Sequence, residues 1–241
     1  ARLRVSQSNR YSYDSNHLVV AVNSLRGAKS INPTTAIGAS YDHYLFRQDG
    51  NSPVKANREG VDISKRFNEY WEANSYLYLT HYDVKGFTPF TTNTWLTFRP
   101  DDIWRFDLSY DRETFEDINA IKNGIIVNSS GLSFDYKPDR FWLFSAKYKK
   151  GSYSDGNSQN TLFGKAEYRL LRNPYVKLYY NYYHSDWGKQ LNSGYFNPKS
   201  IDSNALGLYA SKDLTKKLFV EGQGAWGYEK QKPKSNHPTF F

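Results

Sequence analysis

The sequence predicts an all-β protein, a transmembrane antiparallel up-and-down β-barrel of about twelve or thirteen strands by pattern counting. Three observations predict it. Apolar and polar residues alternate within segments about ten residues long, as side chains do on a strand with two unlike faces. Short polar turns and long polar loops follow one another in regular succession, which a barrel with turns at one rim and loops at the other requires and a Greek-key sandwich does not. Tyr and Trp sit near the ends of the apolar faces, where rings with one polar edge meet lipid headgroups.

Composition agrees with this. Aromatics make up 17% of the chain although its mean hydropathy is −0.77, and many amphipathic rings in a polar average suit a wet lumen between two aromatic girdles. Ile, Leu and Val are too few to give 241 residues a comfortable soluble core. The longest apolar runs, such as residues 18–22, fall far short of the ~20 residues of a transmembrane helix. The absence of Cys removes disulfides, thiolate ligands and thiol nucleophiles. The net charge of +8 is spread along the chain, so nucleic acid is not an expected partner. Neither a Met nor a signal peptide opens the chain, and residues 1–241 are expected to be one barrel domain of a longer precursor.

Taken in order, strands are expected at residues 3–8 and 17–25. Ile37, Ala39, Tyr41 and Leu45 then face away from Gly38, Ser40, Asp42 and Tyr44, ahead of a loop over residues 48–60. Residues 61–67, 71–83 and 93–99 follow as strands, although Tyr76, Leu77, Tyr78 and Leu79 put large side chains on both faces and leave the phase open. After the tight turn Arg99-Pro100-Asp101-Asp102, Trp104, Phe106, Leu108 and Tyr110 oppose Arg105, Asp107, Ser109 and Asp111. A long polar stretch over 112–123 precedes a strand carrying Leu132, Phe134 and Tyr136.

The turn Lys137-Pro138-Asp139-Arg140 leads to Trp142, Phe144, Ala146 and Tyr148, opposed by Ser145, Lys147 and Lys149. Beyond a loop over 151–160, Leu162, Gly164, Ala166, Tyr168 and Leu170 oppose Lys165, Glu167 and Arg169. The turn at 172–174 introduces Val176, Leu178, Tyr180 and Tyr182, and a loop over 186–200 follows. Leu206 and Leu208 lead through a turn at 213–215 to the last clear strand, Leu218 to Tyr228. The chain ends on an aromatic, as outer-membrane barrels often do, but Pro238 cannot donate to a strand ladder, which leaves the aromatic end open between a barrel signature and coincidence.

Three segments carry a family resemblance. Ser152-Tyr153-Ser154-Asp155-Gly156-Asn157, the strand end Glu167-Tyr168-Arg169-Leu170, and Gly194-Tyr195-Phe196-Asn197-Pro198-Lys199-Ser200 resemble the carboxy-terminal outer-membrane barrel of exopolysaccharide-export proteins, the tetratricopeptide-repeat porins. The resemblance spans roughly residues 100–230. It implies a bacterial outer-membrane channel for a secreted polysaccharide, with periplasmic export components as partners and about fourteen to sixteen strands in the complete protein. It also implies a helical tetratricopeptide superhelix ahead of the barrel, and no such repeat lies in this sequence.

Catalytic constellations are sparse. The five histidines show no metal-ligand spacing, and no cofactor or metal is expected. His184-Ser185-Asp186 holds the residue types of a hydrolytic triad, but strand neighbours point to opposite faces and cannot converge. Asp155-Gly156-Asn157 lacks the rest of a calcium-loop series and reads better as a turn. Function is therefore expected on the polar faces. Arg105, Asp107, Lys147, Lys165, Glu167, Arg169, Lys177, Tyr179 and Glu221 are the expected pore-lining and substrate-contacting residues. Their charges either select solutes or neutralise one another. Tyr179, Tyr183 and Phe219 either stack on sugar rings or fill the lumen. A general diffusion porin, passing small polar solutes, or a structural barrel is the alternative, and an outer-membrane hydrolase is the third reading.

Overall fold

The computed structural model describes residues 3–14, 17–215, 218–232 and 236–240, the last of these by backbone alone. One antiparallel sheet runs through them in chain order: β1 (Leu3–Tyr13), β2 (Val19–Asn32), β3 (Thr35–Arg47), β4 (Val54–Arg66), β5 (Trp71–Tyr82), β6 (Phe90–Phe98), β7 (Trp104–Thr114), β8 (Ile126–Tyr136), β9 (Trp142–Tyr153), β10 (Ser158–Leu171), β11 (Tyr175–Trp187), β12 (Ser200–Thr215), β13 (Leu218–Lys232) and β14 (Asn236–Phe240). A five-residue helix, α1 (Ile118–Lys122), lies between β7 and β8. Among the described residues β1 pairs only with β2, and β14 only with β13.

Burial is inverted relative to a soluble sandwich. Leu108 is 55% exposed and Leu132 51%, whereas Asp111 is 6% exposed and Glu167 8%. Strands such as β7 and β10 bury their polar face and present their apolar one, which is stable only where the outer solvent is hydrocarbon. The alternation expected from Trp104 to Tyr228 is present, and lipid is the medium that its apolar side meets.

The outer face carries two girdles. Near the short turns, rings from β5 to β10 touch in succession: Trp71 with Phe98 at 4.4 Å, Trp104 with Tyr136 at 4.3 Å and Trp142 with Tyr168 at 4.6 Å between centroids. Near the other end, tyrosines donate to asparagines one strand on. Tyr41 reaches Asn57 at 2.9 Å, Tyr110 reaches Asn128 at 3.2 Å and Tyr148 reaches Asn160 at 3.0 Å. Each ring thus lies against the apolar band with its hydroxyl on the polar side.

Short turns at 33–34, 67–70, 99–103, 137–141 and 172–174 occupy one rim, and longer connections at 48–53, 83–89, 115–125 and 188–199 occupy the other. Three short turns share a device. Asn68, Asp101 and Asp139 each accept from the backbone N–H groups two and three residues on, the second of which belongs to a Trp that opens the next strand. That closes the turn with a side chain where the ladder cannot.

Several expected boundaries are corrected. The loops placed at 48–60, 112–123 and 151–160 are shorter, because β4 starts at Val54, β7 runs to Thr114, and only residues 154–157 separate β9 from β10. Pairing continues above the lipid band, where Asn128, Lys150 and Asn160 turn polar side chains outward, so the ladder outlasts the apolar alternation. The carboxy-terminal segment is also a strand, with Pro238 opposite Tyr228; on an edge strand its missing N–H is tolerated.

The sheet curls around the segment between β7 and β8. Five residues of helix span only about 7.5 Å. Yet Glu116 pairs with Arg10 of β1 at 2.6 Å, Lys122 reaches Asn51 after β3 at 3.0 Å, and Asn123 donates to the Ser193 carbonyl after β11 at 3.0 Å. In a flat sheet these strands would lie tens of ångströms apart, at ~4.8 Å per strand.

Candidate functional site

The expected lining residues sit on the inner, polar faces of β7, β9, β10, β11 and β13, and most are paired. Arg105 holds Asp107 at 3.0 Å, and Thr97 donates to the same carboxylate at 2.5 Å. Glu167 accepts from Lys165 on its own strand and from Lys177 on β11, the latter at 2.8 Å. Arg169 stacks 5.4 Å from the Tyr175 ring centre, and Glu221 accepts from the Tyr209 hydroxyl at 2.8 Å. The Tyr179 ring lies over Gly207, where a Cβ would fall within 2.6 Å of two ring carbons and the hydroxyl oxygen. Lys147 is exposed and has no ion pair among the described residues. Of the two readings of these charges, neutralisation describes Arg105, Asp107, Lys165, Glu167 and Lys177.

A second inner wall, on β1 to β7, escaped the sequence reading. The ambiguous run on β5 resolves with Leu79 outward and Tyr76 and Tyr78 inward. Arg58 on β4 pairs with Asp42 on β3 at 2.7 Å, and its guanidinium lies 5.0 Å from the centre of Tyr44 and 4.4 Å from that of Tyr78. Arg26 pairs with Asp62 at 2.8 Å and covers Tyr76 at 5.3 Å. Tyr76 in turn stacks on Trp95 at 5.5 Å. Gly60, directly opposite Tyr78, leaves room for that ring: a Cβ there would meet it at 2.2 Å. The only sequence signal was the Arg, Asp and Tyr on alternate positions of neighbouring strands.

The mouth at the long-loop end is built differently. Asp117 caps α1, accepting from the Asn119 and Ala120 N–H groups. Ile118, Ala120 and Ile121 are fully buried; the two isoleucines pack on Leu18, Val20, Val22, Phe46 and Val54, the inner face of β2 to β4 and its rim. Opposite this, Tyr195 stacks between Phe115 at 4.8 Å and Tyr153 at 5.0 Å. Its hydroxyl donates to Asp155 at 2.9 Å and accepts from buried Asn157 at 3.0 Å. Asn157 also binds the Lys189 backbone through its amide oxygen and nitrogen, at 2.8 and 3.0 Å. Asp155-Gly156-Asn157 is therefore a turn, with Gly156 at φ 80°, that ties one loop to another. Burial pushes the Asp155 carboxyl up, but hydrogen bonds from Ser193, the Asn157 backbone and Tyr195 outweigh it and hold it below its usual range. Burial also raises the Tyr195 hydroxyl.

Residues 35–221, from β3 into β13, match the PgaA membrane beta barrel domain. The chain belongs to that family. Among solved structures it is similar to a bacterial polysaccharide outer membrane secretin, with a TM-score of 0.80 at 15% identity over 99% of this chain and 82% of that one. It is also similar to the FrpB iron transporter from Neisseria meningitidis (F3-3 variant), with a TM-score of 0.56 at 10% identity over 95% of this chain and 52% of that one. No curated protein matches it by sequence. Both structural likenesses share the outer-membrane barrel fold, and the PgaA-type barrel lies in the bacterial outer membrane. In such barrels short turns face the periplasm, so the α1 mouth is extracellular. The two loop motifs behind the expected resemblance, at 152–157 and 194–200, both fall inside the matched span and meet at Tyr195.

The triad types do not assemble. His184 and Asp186 share the outer face, where His184 Nδ1 lies 2.6 Å from Asp202, while fully buried Ser185 faces inward and donates to the Asn160 carbonyl. The family and the fold are those of a transport barrel.

Proposed function

We propose that this barrel is a passive conduit through which a secreted polysaccharide leaves the cell, with periplasmic export components delivering it. The membership of residues 35–221 in the PgaA barrel family carries this reading, and the polar inner wall supports it. Arg105, Asp107, Lys147, Lys165, Glu167, Arg169, Lys177, Tyr179 and Glu221 act as its lining, their paired charges keeping the lumen wet without binding a polymer tightly. No bond of the cargo is made or broken. The full-length protein should migrate differently boiled and unboiled, conduct ions in planar bilayers, and restore surface polysaccharide to cells lacking its gene. A barrel that conducts while those cells export normally without it would leave a diffusion porin instead.

A further inference from the structure

Two cavities adjoin on the inner wall of β1 to β7. The first, about 350 Å³, lies beneath the α1 lid; Tyr44, Phe46 and Tyr82 give it an aromatic side, and Thr80, Thr91 and Glu113 a polar one. The second, about 300 Å³, is lined by Ser6, Ser8, Ser24 and Ser40 together with Arg26 and Asp42. Arg58 and Tyr78 border both. Each volume is at the lower end of what small-ligand pockets occupy.

Given the conduit reading above, on which this rests, we infer that the two cavities are consecutive subsites for uncharged sugar units of the moving chain. Sugar rings need a flat apolar surface for their C–H faces and a dense set of hydroxyl partners around the edge. The first cavity supplies rings beside hydroxyls, and the second supplies a row of serine hydroxyls, each both donor and acceptor. Tyr78 and Arg58 form the rung between them, so that one chain contacts both.

Charge narrows the ligand class. Arg58 is matched by Asp42, Arg26 by Asp62, and Glu116 by Arg10. A polymer of uronates or phosphates would need free cations here, but Arg26 and Arg58 already hold carboxylates within 2.8 Å, and Arg112, which also lines the first cavity beside Glu113, is engaged by the Phe90 carbonyl and the Asn128 amide oxygen. An uncharged pyranose needs only the remaining donors and acceptors.

The test is single-channel recording of the full-length protein in planar bilayers, with cellohexaose as the uncharged probe and an oligogalacturonate of equal length as the anionic one. Cellohexaose should interrupt the current at lower concentration than the oligogalacturonate. Tyr78→Ala should weaken that block about three- to tenfold, the range of one lost aromatic contact. Ser24→Leu, which fills the second cavity and leaves the rung in place, should weaken it as well. Tyr110→Phe, on the lipid face, serves as the unchanged control, and heat-dependent migration reports that each variant is folded. Equal block of wild type and both variants, or stronger block by the oligogalacturonate, would overturn the subsites while conduction and export stand. Wild type that is blocked by cellohexaose but fails to support export would instead remove the conduit reading itself.

Discussion

The two rims of this barrel solve opposite problems. At the short-turn rim the outer face is aromatic, the inner face is charged, and Asn68, Asp101 and Asp139 repeat one turn. At the long-loop rim the inner face is apolar: Val20, Val22, Phe46 and Val54 are buried under Ile118 and Ile121. The lumen is therefore wet through its middle and lower part and dry at its mouth. The apolar cluster lies on the β2 to β4 side of the mouth, while charge pairs such as Glu167 with Lys165 and Lys177 line the opposite wall below it.

Introducing a charge into the mouth should break this contrast most strongly. Ile121→Asp would place a carboxylate at a fully buried position with no cation within the cluster, at a cost of more than about 3 kcal/mol. The lid, tied to the barrel by loops, should undock while the barrel stays folded. A several-fold rise in single-channel conductance with unchanged heat-dependent migration checks this, and an unchanged conductance would show that α1 does not narrow the path. Gly194→Ala should act in the same direction with less force. Gly194 has φ 89°, and a Cβ there would fall 2.5 Å from Asn119 and 2.6 Å from the Ala120 nitrogen. Strain of about 1–3 kcal/mol would push α1 off its seat, to be read as faster hydrogen exchange at residues 118–122.

The rims also differ in how far the sequence disclosed them. Lipid-facing rows such as Leu108, Leu132 and Leu206 were legible because strand side chains alternate and hydrocarbon demands apolar ones. So were the inner positions of Arg105, Glu167 and Lys177, which lie on strands whose outer face is apolar where it crosses the lipid band. The Tyr76 to Leu79 run was not, because a lumen tyrosine and a lipid leucine both count as apolar. Only the guanidinium groups of Arg26 and Arg58, on other strands, mark which is which. Helix α1 is too short to show a period, and Asp117 was its one local signal. The Asp155–Tyr195 contact joins motifs 40 positions apart, a separation that no local pattern encodes. The repeated turn, an Asn or Asp three places before Trp71, Trp104 and Trp142, was present in the sequence and passed unread.

A milder probe of the mouth is pH. The Asp155 carboxyl is held below its ordinary value of 3.8, so its contribution to lid docking is fully present above about that pH and is lost as pH falls through the folded-state value. Tyr195, raised above its ordinary 10.0, contributes below that pH and loses its contribution as pH rises past it. Hydrogen exchange at residues 188–199 should therefore be slowest between these limits. Tyr195→Phe keeps the stack with Phe115 and Tyr153 but removes both hydroxyl bonds, costing about 1 kcal/mol and flattening the acid limb. An acid limb of unchanged steepness in that variant would assign it to another carboxylate.

The smallest effect belongs to the short-turn rim. Asp139→Ala removes the acceptor for the Phe141 and Trp142 N–H groups, both at an exposed turn where water can replace it. The expected loss is about 0.5–1 kcal/mol, seen as a small fall in the urea midpoint of unfolding from lipid, with conductance and lid exchange unaltered. If instead the lid loosened, the rims would be mechanically coupled through β9 and β10, and the division into a rigid, repeated base and a separately docked mouth would fail.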